Sequence, residues 1–200
     1  MYAAPCPEMP AARFSAGRLL LWLAALSVLL LRPLSARADD FTIRNASTSL
    51  NQQVYQLYAR IDYRLTHDVL VALNNGVPIT LRVDIEVKRK RRWWLNATVA
   101  ILEQRYQLTY HAFSEQYLVR NLNSDALYTY PTLGMAIRAL GSIRGLPLLD
   151  AKFIEPGYHY DVELRSSLDI EALPAPLRPI AYITPAWRLS SDWYTCSLTP

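Results

Sequence analysis

Apolar and polar residues alternate along much of this chain. Leu57, Ala59, Ile61, Tyr63 and Leu65 alternate with Gln56, Tyr58, Arg60, Asp62 and Arg64. Ile79, Leu81, Val83, Ile85 and Val87 alternate without exception with Thr80, Arg82, Asp84, Glu86 and Lys88. Tyr106, Leu108 and Tyr110 repeat the pattern, as do Tyr158, Tyr160, Val162, Leu164, Leu168 and Ile170. A period of two puts one side of each strand on a core and the other in water. Strands buried on one face belong to antiparallel sheets. The pattern predicts a mainly β fold, an antiparallel β-sandwich or open barrel with two short helices.

Val99 and Ile101 occupy odd positions, whereas Tyr106, Leu108 and Tyr110 occupy even ones. The shift predicts one long strand bent by a bulge near Leu102–Gln104. Thr66 can cap a helix carrying Val69, Leu70 and Leu73 and stopping at Gly76. Thr132 can cap a second, with Leu133, Ala136, Ile137 and Leu140 at helical spacing before Gly141. Three prolines between Leu173 and Pro179 exclude a central strand and predict an extended crossing segment. Trp187 to Leu198 reads as a last strand.

The N-terminus follows another rule. Arg13 and Arg18 precede the apolar run Leu19–Leu31, and Ala36-Arg37-Ala38 follows Arg32-Pro33. A charged segment, a short apolar run and a small-x-small site make up a secretory signal. The run is shorter than the roughly 20 residues that span a bilayer. The expectation is a signal peptide over residues 1–38, cleaved between Ala38 and Asp39. What remains, residues 39–200, is a single β-rich domain of the periplasm or cell envelope, not an integral membrane protein after cleavage.

Cleavage changes the charge. The chain carries +4 overall. Arg13, Arg18, Arg32 and Arg37 against Glu8 account for three of those charges, so the exported part is almost neutral. The basic pI of the whole chain therefore mostly reports the signal and does not point to nucleic acid. Cys6 leaves with the signal, and Cys196 alone can neither form an internal disulfide nor hold a metal. Lysine is scarce, with Lys88, Lys90 and Lys152 against many arginines, which fits a GC-rich bacterium.

A longer order of residues is also distinctive. Asn75-Gly76-Val77-Pro78 leads into an alternating strand and then Arg91-Arg92-Trp93-Trp94. Tyr110-His111-Ala112-Phe113 precedes Gln116-Tyr117-Leu118-Val119-Arg120. Thr132-Leu133 opens the helix ending at Leu140-Gly141. Leu173-Pro174 and Pro176-Leu177-Arg178 precede Trp187-Arg188-Leu189-Ser190-Ser191-Asp192-Trp193. This order resembles the proteobacterial domain of unknown function 4390 family over nearly all of the chain after the signal. The resemblance implies an exported, uncharacterised protein with no assigned catalytic residue. It also implies a link to an NtrY-type membrane sensor kinase, and so an accessory role in envelope signalling.

Candidate chemistry is sparse. The sequence has no nucleophile elbow, phosphate loop or dinucleotide fingerprint. No catalytic residue, cofactor or metal is expected. His111, His159 and Asp161 would form a metal or hydrolase site only if their strands were neighbours, and His67 opens the first helix. Asp84/Glu86 and Asp161/Glu163 share a polar face, as solvated sheet surface does. The most distinctive feature is Lys88-Arg89-Lys90-Arg91-Arg92-Trp93-Trp94. Five cations running into two indoles suit an anionic envelope surface or an acidic protein partner. A charged hairpin end with its Trp pair packed under the sheet is the plain alternative. Trp93, Trp94, Trp187 and Trp193 can also line an apolar pocket. The expected function is a non-enzymatic binding or accessory module linked to the sensor kinase. The alternative is a carrier or sensor of a small apolar or lipidic ligand, with a hydrolase third.

Overall fold

The computed structural model describes residues 41–91 and 96–198. The signal segment, its cleavage point, and Arg92, Trp93 and Trp94 lie outside the described residues. The rest is mainly β, in two antiparallel sheets. The first pairs β1 (Phe41–Asn51), β2 (Val54–Tyr63) and β7 (Ser142–Asp150) in the order β1-β2-β7. The second contains β3 (Ile79–Arg89), β4 (Ala97–His111), β5 (Gln116–Asn121), β6 (Leu127–Tyr130), β8 (Tyr160–Leu168) and β9 (Tyr194–Ser197). Its order is β6-β5-β4-β3-β8-β9.

The alternating residues form the core. Every odd position of β3 from Ile79 to Val87 is buried, as are Val162, Leu164 and Leu168 of β8 and Leu57, Ala59 and Ile61 of β2. One hydrophobic cluster spans both sheets. Tyr63 ties them together: its ring packs edge-on against Phe41, and its hydroxyl lies 3.1 Å from Ser166 Oγ. Burial raises the Tyr63 pKa, so the phenol stays neutral.

Helices cover one end and one side. α1 (His67–Asn74) follows β2 and buries Val69 and Leu73. α2 (Leu133–Leu140) packs against β2, β5, β6 and β7 and buries Ala136 and Leu140. Thr132 caps it as expected, accepting from Met135 N–H, whereas Thr66 donates to Ala186 O instead. The proline-rich segment is not simply extended: α3 (Arg178–Ile183) begins with Pro179 in its first turn, where a missing N–H costs nothing. The last strand is shorter than expected. Trp187 lies buried in a 3₁₀ turn, and the strand runs only from Tyr194 to Ser197. No helix among the described residues is long and apolar enough to cross a membrane.

β4 is the single long strand expected, but its bulge is elsewhere. Ala100, Leu102, Gln104, Tyr106 and Leu108 all oppose core-facing residues of β3, with no phase change at Leu102–Gln104. The register shifts at Val87/Lys88, where Val99 is the extra residue. Ile101 therefore points to the polar face beside Glu86 and is 74% exposed.

Candidate functional site

The 3₁₀ turns at Ile170–Ala172 and Pro185–Trp187, α1 and α3 sit beyond the Ile79/Leu168 end of the sheets, and other chain connections gather at the far end. Four segments meet there. They are the end of β3 with Lys90 and Arg91, the two-residue turn at Gln52-Gln53, the connection 151–159 between β7 and β8, and the C-terminal end of β9. Gln52 and Gln53 take positive φ, as a tight hairpin turn of this hand requires. Backbone bonds fasten the segments: Ala151 N–H to Gln53 O (2.8 Å), Lys90 N–H to His159 O (2.8 Å) and Leu198 N–H to Tyr160 O (2.9 Å). The 151–159 connection divides this end into two cavities.

The first is an apolar cleft of about 520 Å³, lined by Val54, Val99, Ala100, Pro147, Leu148, Leu149, Asp150 and Phe153. It exists because the sheets part company here. β5 pairs with β4 only from Tyr106 to His111, so the first half of β4 has β3 on one side and no described strand on the other. β7, the edge of the smaller sheet, lies across the gap. Phe153 is 57% exposed at the mouth. Lys152 Nζ is 5.1 Å from the Phe153 ring centre and 3.1 Å from Asp150 Oδ2, so the rim's two charges offset each other.

The second cavity, about 400 Å³, is polar and aromatic, with Tyr55, Lys90, Tyr158, His159, Tyr160 and Asp161 among its lining residues. Asp161 is buried, and its Oδ2 lies 2.7 Å from Lys90 Nζ. Val162 pairs with Cys196, placing the thiol near that carboxylate. Burial first, and the Asp161 charge second, push the Cys196 thiol up to about 11. It is a poor nucleophile at neutral pH.

The basic run ends in this region, and carboxylates claim much of it. Lys88 Nζ lies 2.6 Å from Glu163 Oε2 and 2.9 Å from Glu86 Oε2. Those two bonds raise its pKa. Arg89 pairs with Glu155 at 2.7 Å and covers the Tyr158 ring at 4.8 Å. Lys90 holds Asp161. Arg91 is exposed and makes no ion pair among the described residues; its N–H reaches Asn96 Oδ1 across the hairpin at 3.4 Å. The sequence shows the cations but not their partners, which apart from Glu86 come from β8 and the connection before it.

Other candidates are dispersed. His111 ends β4 and bonds Ser114 Oγ, while His159 precedes β8 at the hairpin end. β3 separates β4 from β8, and its length separates the two ends, so no His111–His159–Asp161 centre forms. His67 is exposed at the start of α1. Among the described residues no group of three His, Cys, Asp or Glu is arranged for a metal. Asp84 pairs with Arg82 at 3.2 Å on the polar face, and Glu86 and Glu163 share Lys88. Trp187 is in the core, whereas Trp193 is half exposed with Lys88 Nζ 5.8 Å from its ring centre on the polar face. These two indoles do not line one pocket.

A family model, the domain of unknown function 4390, matches residues 38–197. No curated protein and no solved structure matches the chain.

Proposed function

Since the chain belongs to the domain of unknown function 4390 family, we propose that it is a non-enzymatic binding module of the cell envelope, exported by cleavage after Ala38. On this reading it holds a protein partner in the apolar cleft at the hairpin end. The observation that carries the proposal is the cleft itself. Val99 and Phe153 line it and remain open to solvent. An open apolar cleft with a polar rim is how a protein surface accommodates a partner. A protein fits better than an anionic membrane, because Lys88, Arg89 and Lys90 already face carboxylates. Only unpaired cations contribute the roughly 1 kcal/mol each of attraction to anionic lipid. The extracytoplasmic part of an NtrY-type sensor kinase is the first partner to test.

The test is recovery of partners from envelope extracts with tagged protein, comparing wild type with Val99→Arg/Phe153→Ala. Both side chains line the cleft and neither is buried, so the fold should survive. Losing a central apolar anchor costs about 2 kcal/mol or more, a fall in affinity of at least about thirtyfold. Equal recovery by the two proteins would remove the cleft from the account.

The cleft's size favours a second reading. Its volume of about 520 Å³ lies within the roughly 300–1,000 Å³ typical of small-ligand pockets. A lipidic ligand would then co-purify, and native mass spectrometry would record its added mass. A consistently empty protein rejects this alternative.

A further inference from the structure

The cleft is bounded by two strand edges as well as by apolar side chains, and the edges differ. β7 is blunted. Pro147 supplies no N–H, and Gly145, at φ +62°, interrupts its pairing with β2. Such features discourage a strand from adding to an edge. The outer edge of β4 between Ala97 and Glu103 has neither proline nor glycine. Beyond Glu103 it is closed: Leu122 N–H donates to Arg105 O (2.8 Å), Arg105 N–H to Asn123 Oδ1 (2.8 Å) and Asn123 Nδ2 to Glu103 O (2.9 Å).

Those three bonds show which backbone groups face outward. In an antiparallel strand both polar groups of one residue point the same way and those of the next point back. Arg105 and Glu103 point away from β3, so Ile101 does too. Its N–H and C=O meet no partner among the described residues. This edge borders the apolar cleft at Val99 and Ala100.

We propose that the outer edge of β4 around Ile101 receives an extended segment of the partner protein as an added strand. The inference rests on the binding function proposed above and names how the partner is held. Unpaired N–H and C=O groups along a strand are matched by another strand, not by a lipid tail. On the core side, alternate apolar side chains of the segment enter the cleft past Leu148 and Phe153. At the tip, the exposed Arg91 selects a carboxylate. The occupant is therefore an extended peptide alternating apolar and small polar residues, with an acidic residue at the end nearest the hairpin tip.

The probe is a synthetic peptide of alternating valine and threonine bearing a terminal aspartate, added to isotopically labelled protein. Amide exchange at Ile101 is expected to slow by about tenfold or more, because a bonded N–H exchanges only when the bond opens. Ile101→Pro, which removes the outward N–H without removing a bond to β3, should abolish binding. Ile101→Thr, which keeps that N–H, should bind as wild type does. Unchanged exchange at Ile101 in wild type at saturating peptide overturns the proposal without need of any variant. If Val99→Arg abolishes binding and Ile101→Pro does not, the cleft reading stands and strand addition falls. Slow exchange at Ile101 without peptide, rising with protein concentration, identifies a second copy as the occupant and also overturns it.

Discussion

Ile85→Ala is expected to lower the unfolding free energy by about 3–4 kcal/mol and the melting temperature by about 10 °C. Ile85 lies at the middle of β3, which has β4 on one side and β8 on the other. Its side chain is fully buried, with Val83 and Val87 beside it on the same strand face and Leu164 opposite on β8. Truncation removes apolar contact and leaves a void that flanking strands, fixed by ladders on both sides, cannot close. Urea unfolding followed by far-UV circular dichroism measures the effect. Ile101→Ala is the control: its exposed side chain should change stability by less than about 0.5 kcal/mol. Similar midpoints for the two variants would mean that β3 is not the centre of the core.

Gly141→Ala is expected to cost about 3 kcal/mol for a different reason. Gly141 closes α2 with an ordinary φ of −75°, so conformation does not require glycine. Space does. A Cβ here would overlap Ile61 O and lie 3.2 Å from Ile61 C. Those are backbone atoms of β2, fixed by the 2.8 Å bond from Ile61 N–H to Gly141 O. They cannot swing aside as a side-chain end would, so α2 must lift from the sheet. At Gly134 an added Cβ meets only the end of Arg138 at 3.6 Å. Gly134→Ala, in the first turn of the same helix, should leave stability equal or slightly raised. Thermal unfolding of the pair separates close approach from helix propensity.

The strands legible in the sequence are those with unbroken alternation. β3 and β8 keep one face on the core for their whole length, so period two marks them. β1 is obscured because its register shifts between Ile43 and Asn45, and the buried positions change from Phe41 and Ile43 to Thr48. β7 carries no such alternation: it contains Gly145 and Pro147, and an edge strand tolerates both. The bulge in β4 was legible as a change of phase but misplaced. A bulge at Leu102–Gln104 would keep Ile101 on the core, while the structure turns it to the polar face at the far side of Val99. α3 was hidden by Pro176 and Pro179, which restrict a helix interior but not a first turn.

The candidate site was legible in part. The basic run marks the end of β3, and its described cations Lys88–Arg91 do belong to the end where the cavities lie. What alternation along a strand does not reveal is that Glu86, Glu155, Asp161 and Glu163 take up three of its cations. The apolar cleft left almost no trace, because it arises from pairing: β5 stops short along β4, and β7 lies opposite. Ile101 and Val99 carried the one available signal, two apolar residues out of phase with the rest of their strand.

The claim that this end of the sandwich is a binding site can be tested in living cells by site-specific photo-crosslinking. A photoreactive residue replaces Phe153 at the cleft mouth or, as control, Phe113 in the β4–β5 turn at the opposite end, where the side chain is 97% exposed. A discrete protein adduct from position 153 and none from position 113 is the predicted result. No adduct from position 153, or the same adducts from both, would contradict it.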